Sequence, residues 1–201
     1  MTDRTGDGPW PAEWRSHASA LTGTLRLDVA GYDVAVSLSP AELHRLHFPL
    51  VHLLAQTAQL DPHRVLAALA GIPGGGKSTF AAVLERVAAT VLGLGHLRVV
   101  GMDGWHWPNA VLDVRTTTDA DGRTIPLRRR KGGPESYDVD ALAAAIDRLR
   151  NSDHAVALPV YDRCCHDPVP DRLVVPPEAR IVIIEGNFLL SSDPPWDQVS
   201  S

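Results

Sequence analysis

Gly71-Ile72-Pro73-Gly74-Gly75-Gly76-Lys77-Ser78-Thr79 fits the phosphate-loop pattern G-x-x-x-x-G-K-[ST] and decides how the rest of the chain is read. Arg64-Val65-Leu66-Ala67-Ala68-Leu69-Ala70 precedes it, a short apolar run of the kind a buried parallel strand shows. After it, Phe80, Val83, Leu84, Val87 and Val91 recur at helical spacing to about Leu92, where Gly93 and Gly95 end the helix. Gly71, Gly74, Gly75 and Gly76 let the backbone turn its N–H groups inward, and the helix adds roughly half a positive charge at its N-terminus. A triphosphate is cradled in such a loop. Lys77 then reaches the β- and γ-phosphates, Ser78 offers a hydroxyl to Mg²⁺, and Thr79 completes the cradle.

Downstream, Leu97-Arg98-Val99-Val100-Gly101-Met102 reads as a second strand ending at Asp103, and Ala155 to Val160 as another ending at Tyr161-Asp162-Arg163. Arg180-Ile181-Val182-Ile183-Ile184-Glu185 is the clearest buried strand, with four β-branched residues before an acid. Asp138 to Arg150 has helical periodicity. Trp105 to Tyr137 is a long polar excursion with a turn at Asp121-Gly122 and a basic run, Arg128-Arg129-Arg130-Lys131, that is either a solvated face or a set of phosphate contacts. Strands alternating with helices predict an α/β fold with a mainly parallel sheet. Ligands bind such sheets at the carboxyl ends of the strands, where the phosphate loop, Asp103, Arg163 and Glu185 are expected to converge.

Upstream of the loop, residues 1 to about 20 are rich in Asp, Gly, Pro, Ser and Thr, and a flexible or loosely docked terminus is expected, with Trp10 and Trp14 its large apolar groups. Residues 21–62 read as a β-hairpin and an amphipathic helix. Leu25, Leu27 and Val29 alternate with polar residues, Ala30-Gly31-Tyr32-Asp33 supplies the turn, and Val34, Val36 and Leu38 alternate again. Ser39-Pro40-Ala41-Glu42 is a helix start with a capping box, and Leu43, Leu46, Leu50, Leu53 and Leu54 form its apolar stripe, with a kink expected at Pro49. Residues 63–201 form the phosphate-loop domain.

Bulk properties narrow the function classes. With 19 Lys and Arg against 24 Asp and Glu, the net charge of −5 argues against a nucleic-acid surface, and no apolar run is long enough to span a membrane. The two cysteines, Cys164 and Cys165, are neighbours and offer no separated disulfide pair, and no signal peptide opens the chain, so a cytoplasmic setting is expected. Cys164-Cys165-His166-Asp167 lacks the second ligand pair of a structural zinc site.

Five ordered motifs carry a family resemblance over about residues 64 to 199. They are the phosphate loop, Met102-Asp103-Gly104-Trp105-His106, Arg130-Lys131-Gly132-Gly133-Pro134-Glu135-Ser136-Tyr137-Asp138, Pro159-Val160-Tyr161-Asp162-Arg163 and Ile184-Glu185-Gly186-Asn187-Phe188-Leu189-Leu190. The chain resembles the P-loop kinases related to uridine kinase, phosphoribulokinase and bacterial pantothenate kinase, including sugar-transport kinases. The resemblance implies a three-layer P-loop fold, ATP and Mg²⁺ as cofactors, and a small hydroxyl-bearing acceptor. It further implies that Asp103 orients the acceptor hydroxyl and that Glu185 organises Mg²⁺. Arg130, Lys131 and Arg163 would contact acceptor or phosphates, and His106 and Tyr137 would sit in the acceptor pocket. The resemblance also places the three strands ending at Asp103, Glu185 and the phosphate loop side by side, and leads one to expect further C-terminal strands and an arginine-bearing lid that this sequence does not contain. A non-catalytic nucleotide-binding module is therefore the competing expectation. A GTPase is disfavoured because no Asn-Lys-x-Asp segment occurs.

Overall fold

A computed structural model of the chain describes Gly8 and residues 10 to 200; residues 1–7 and Pro9, part of the segment expected to be loose, lie outside them. The described part of that segment is packed. A 3₁₀ turn over Ala12–His17 leads into α1 (Ala18–Leu21), and Trp10 and Trp14 are 6% and 5% exposed. Their rings lie 5.1 and 5.8 Å from that of Phe48. Burying two indoles outweighs the polar composition around them.

β1 (Gly23–Val29) and β2 (Tyr32–Leu38) form the expected antiparallel hairpin, with a tighter turn than the sequence indicated. Only Ala30 and Gly31 lie outside the strands, both with positive φ, the geometry of a two-residue type I′ turn. The Asp28 carboxylate accepts the Gly31 N–H at 2.8 Å and locks it. Ser39 and Glu42 complete the capping box at the start of α2 (Pro40–Glu42).

In place of a simple kink at Pro49, the chain makes a π-helical turn over Leu43–His47 before α3 (Phe48–Leu60). Pro49 cannot donate a hydrogen bond to the preceding turn, and the Phe48 N–H bonds to the Leu43 carbonyl instead. One extra residue in a turn rotates all that follows by about 100°. The buried stripe therefore runs through Leu43, Phe48 and Val51, while Leu46 and Leu53, expected inward, face solvent.

The phosphate-loop unit follows as expected: β3 (Val65–Ala70), the glycine loop, α4 (Lys77–Val91) and β4 (Leu97–Gly101). The excursion after β4 is more ordered than its composition indicates. It holds α5 (Asn109–Val114) and a small hairpin of β5 (Thr116–Thr118) and β6 (Thr124–Pro126), pinned by buried Leu112 and Leu127. α6 (Val139–Asn151) is capped by Asp138. β7 (Val156–Asp162) was read as a member of the parallel sheet; it pairs instead with β8 (Asp167–Val175) in a separate antiparallel ribbon. Pro168 and Pro170 hid β8 from the sequence reading, yet a strand paired on one side tolerates them. β9 (Ile181–Gly186) completes a parallel sheet ordered β3-β9-β4, the adjacency the resemblance implied, and α7 (Asp197–Ser200) is the last described element.

Two apolar clusters flank the sheet. One packs the N-terminal hairpin, α3 and the terminal tryptophans against α4 through residues such as Leu27, Val29, Val83 and Val87. The other packs α6 and the β7–β8 ribbon against Val182 and Ile184 of β9. Trp14→Ala is expected to lower unfolding free energy by about 3 to 5 kcal/mol in urea titrations, the cost of emptying a core indole site. A loosely docked terminus would register less than about 0.5 kcal/mol.

Candidate active site

The site begins with the glycine loop. Gly76 caps α4 with φ +80°, a left-handed conformation that a side chain would strain, and the N-terminus of α4 that it opens favours an anion. Gly71, Gly74 and Gly75 form the exposed remainder of the loop, and Thr79 lies in the first turn of α4. The Lys77 ammonium donates to the Ile72 carbonyl at 2.9 Å and to Asn187 Oδ1 at 2.8 Å. Asn187 has no role in the expectations from sequence; its position in the Ile184 to Leu190 motif, two residues past the Glu185 acid, is the signal that marks it. Ser78 Oγ donates to Glu185 Oε1 at 3.0 Å.

Sheet register brings the next group in. Glu185 on β9 is level with Leu69 on β3 and Gly101 on β4, so the β4 chain end delivers Asp103 beside the phosphate loop. Gly104 is required for this approach, because a Cβ there would lie 2.5 Å from the Pro159 carbonyl oxygen of β7. Tyr137 donates its hydroxyl to Asp103 Oδ1 at 3.1 Å, and burial, reinforced by the Asp103 charge, raises the phenol pKa so that it stays protonated. His106 is buried behind Asp103. One ring nitrogen bonds to the Asp103 carbonyl at 2.9 Å, and the ring packs 3.9 Å from that of Tyr137. His106 thus positions Asp103 and Tyr137 from behind and does not line the cleft.

Asp103, Ser78, Glu185, Tyr161 and Arg163 line one cleft of about 590 Å³. Arg130 and Lys131 are not brought into it. Arg130 pairs with Glu135 at 3.3 Å, and Lys131 ties Asn109 to the His166 carbonyl, 2.6 Å from each. Of the two tryptophans in the excursion, Trp105 is buried in the second cluster and Trp107 lies under the Arg115 guanidinium at 3.8 Å.

Electrostatics mark the same place. Burial raises the Glu185 pKa and the Asp103 charge adds to the effect, while the Ser78 hydrogen bond, Lys77 and Arg163 act in the opposite direction. A partly buried carboxylate beside a second carboxylate and a serine hydroxyl matches the donor set of a hard divalent cation, and Mg²⁺ fits these residues.

The architecture and the site define a P-loop kinase. No family model matches the chain. It is 34% identical over 178 residues to the "Uncharacterized protein YggC" of Escherichia coli strain K12, covering 88% of this chain and 69% of that one. It is also 34% identical over 134 residues to the "Putative uridine kinase C227.14" of Schizosaccharomyces pombe, covering 66% of this chain and 54% of the relative. Among solved structures, a "putative fructose transport system kinase" from Silicibacter sp. TM1040 superposes with a TM-score of 0.61 at 34% identity, over 73% of this chain and 69% of the other. The chain belongs to the P-loop kinase family that includes uridine kinase and bacterial pantothenate kinase, a family of small-molecule kinases. It spans 69% of the length of the E. coli relative and about half that of the S. pombe one.

His106 supplies a pH test of this packing. Burial lowers its pKa, with the Asp103 carbonyl and charge opposing. Below about pH 6.5 the unfolded chain binds a proton on this ring that the folded chain resists, so stability is full above about pH 6.5 and falls with acidification. Urea midpoints taken from about pH 7.5 to about pH 5 are expected to fall less steeply in His106→Asn than in the native chain. Parallel curves would show that the ring does not titrate with folding.

Proposed function

We propose that the chain transfers the γ-phosphoryl group of ATP to a hydroxyl of a small metabolite, a nucleoside, a sugar or a pantothenate-like alcohol, in the cytoplasm. The observation that carries this reading is the juxtaposition of Asp103 with the phosphate loop in one cleft. Nucleotide binding alone gives no reason for a second carboxylate held there by a buried tyrosine and a buried histidine.

Tyr137 occupies Asp103 Oδ1, which leaves Oδ2 to accept the proton of the attacking hydroxyl. The acceptor oxygen forms a bond to the γ-phosphorus as the bond to the β–γ bridging oxygen breaks, ADP departs, and the acceptor proton passes to Asp103. Lys77 exchanges its contacts with Ile72 and Asn187 for phosphate oxygens, so its charge is placed before the reaction begins. Ser78 and Glu185 would hold Mg²⁺, which when bound offsets charge on the β- and γ-phosphates. Arg163, whose field already reaches Glu185, faces the charge that develops on the transferring group.

Coupled ADP detection across an acceptor panel tests the assignment. In Asp103→Asn, kcat is expected to fall by about 10²- to 10⁴-fold with the KM for ATP little changed. ATP consumption indifferent to every acceptor and to this substitution would refute the kinase reading and favour a non-catalytic nucleotide-binding module.

A further inference from the structure

The catalytic cleft has a wall that the family motifs do not supply. Its outer end is formed by Asp28 to Tyr32, the tip of the N-terminal hairpin, facing the β7–β8 ribbon across the free edge of β4. This tip is fixed in place. Leu27 and Val29 of β1 are buried against α4, the helix that begins at the phosphate loop, and the Asp28 carboxylate locks the turn. The hairpin and the nucleotide cradle therefore ride on the same helix.

Tyr32 stands out on that wall. Alternation along β2 puts it on the same face as Val34 and Val36, which pack on the first cluster, yet Tyr32 is 57% exposed. Its cross-strand partner Val29 is buried. An aromatic ring on the packing face of a strand, uncovered by protein and lining a cleft, is available to a ligand.

The charges around it narrow that ligand. Of the arginines lining the cleft, Arg98 is paired with Glu85 at 3.0 Å and Arg172 with Asp162, while the charge of Arg163 acts on Glu185. Val99, Val160 and Leu173 line the same cleft. Arg98 and Arg172 are thus neutralised by carboxylates, Arg163 is turned to the phosphate chemistry proposed above, and the surface offers a ring to stack on and hydrogen-bonding groups for hydroxyls.

We propose that Tyr32 is a specificity-determining residue for the acceptor: the N-terminal hairpin forms the far wall of the acceptor pocket and selects a neutral, ring-shaped polyol, a sugar or a nucleoside, over an anionic alcohol. The inference rests on the kinase reading above. It adds an acceptor-side residue from outside the phosphate-loop domain.

Calorimetry on the full chain with Mg²⁺ and a non-hydrolysable ATP analogue tests it with D-fructose, uridine and pantothenate as probes. Fructose or uridine is expected to bind, and pantothenate on the order of tenfold more weakly or not at all. Tyr32→Ala is expected to weaken the neutral ring on the order of tenfold, the effect of one lost stacking contact, while Tyr32→Phe holds it within about twofold. Affinity for the nucleotide analogue should be the same in all three proteins. Equal acceptor affinity in the native chain and Tyr32→Ala overturns the role of Tyr32 and leaves the kinase reading standing. A loss of analogue affinity in Tyr32→Ala overturns it by placing the ring on the donor side. Tighter binding of pantothenate than of either ring overturns the acceptor class. Failure of the native chain to bind any of the three also overturns the acceptor class, whereas the kinase reading stands or falls on the turnover test above.

Discussion

The parallel register of β9 between β3 and β4 is the constraint on which the site depends. Leu69, Glu185 and Gly101 lie level across the three strands, so the phosphate loop, Glu185 and Asp103 all emerge at one edge. Side chains alternate with a period of two along a strand, and a slip of one residue would turn Glu185 away from Ser78 and bury a carboxylate against a cluster. Ile181 to Ile184 are buried on both faces, which makes that slip costly without specifying the register alone. The Ser78 to Glu185 hydrogen bond and the Lys77 to Asn187 hydrogen bond tie the two chain ends together at the level where the chemistry is proposed.

Around this sheet, the surroundings of Asp103 are assembled from segments far apart in sequence. Gly104 lets β7 approach the turn that carries Asp103, and Tyr137 reaches Asp103 from the end of the long excursion. The N-terminal hairpin reaches the same cleft by packing on α4. The phosphate-loop side is thus local, one loop and one strand end. The Asp103 side is a composite of ribbon, excursion and hairpin, and function on a shared scaffold is set by such site-building segments.

Much of this was legible in the sequence, for identifiable reasons. The phosphate loop depends on glycines at fixed spacing, and β9 on an unbroken β-branched run; both are local signals. The N-terminal packing was misread because Trp10 and Trp14 sit in polar surroundings, and their burial depends on Phe48, more than thirty residues away. The π turn was invisible because it changes which leucines face inward without changing the helical period on either side. β7 was assigned to the main sheet because its partner β8 contains prolines. Asn187 and Tyr32 escaped notice for a common reason: one is an uncharged residue beside a strand end, the other an aromatic at the start of β2 beside a two-residue turn, and only the assembled structure gives Asn187 its partner Lys77 and Tyr32 its place in the cleft.

If the register of β9 organises the site as proposed, a bound γ-phosphate lies against Asp103. A crystal structure of the chain with Mg²⁺ and a non-hydrolysable ATP analogue tests it most directly. The γ-phosphate is expected between Lys77 and Asp103, with Lys77 released from Asn187 and the metal beside Ser78 and Glu185. A nucleotide whose γ-phosphate points away from Asp103, or that binds outside the glycine loop, would contradict it.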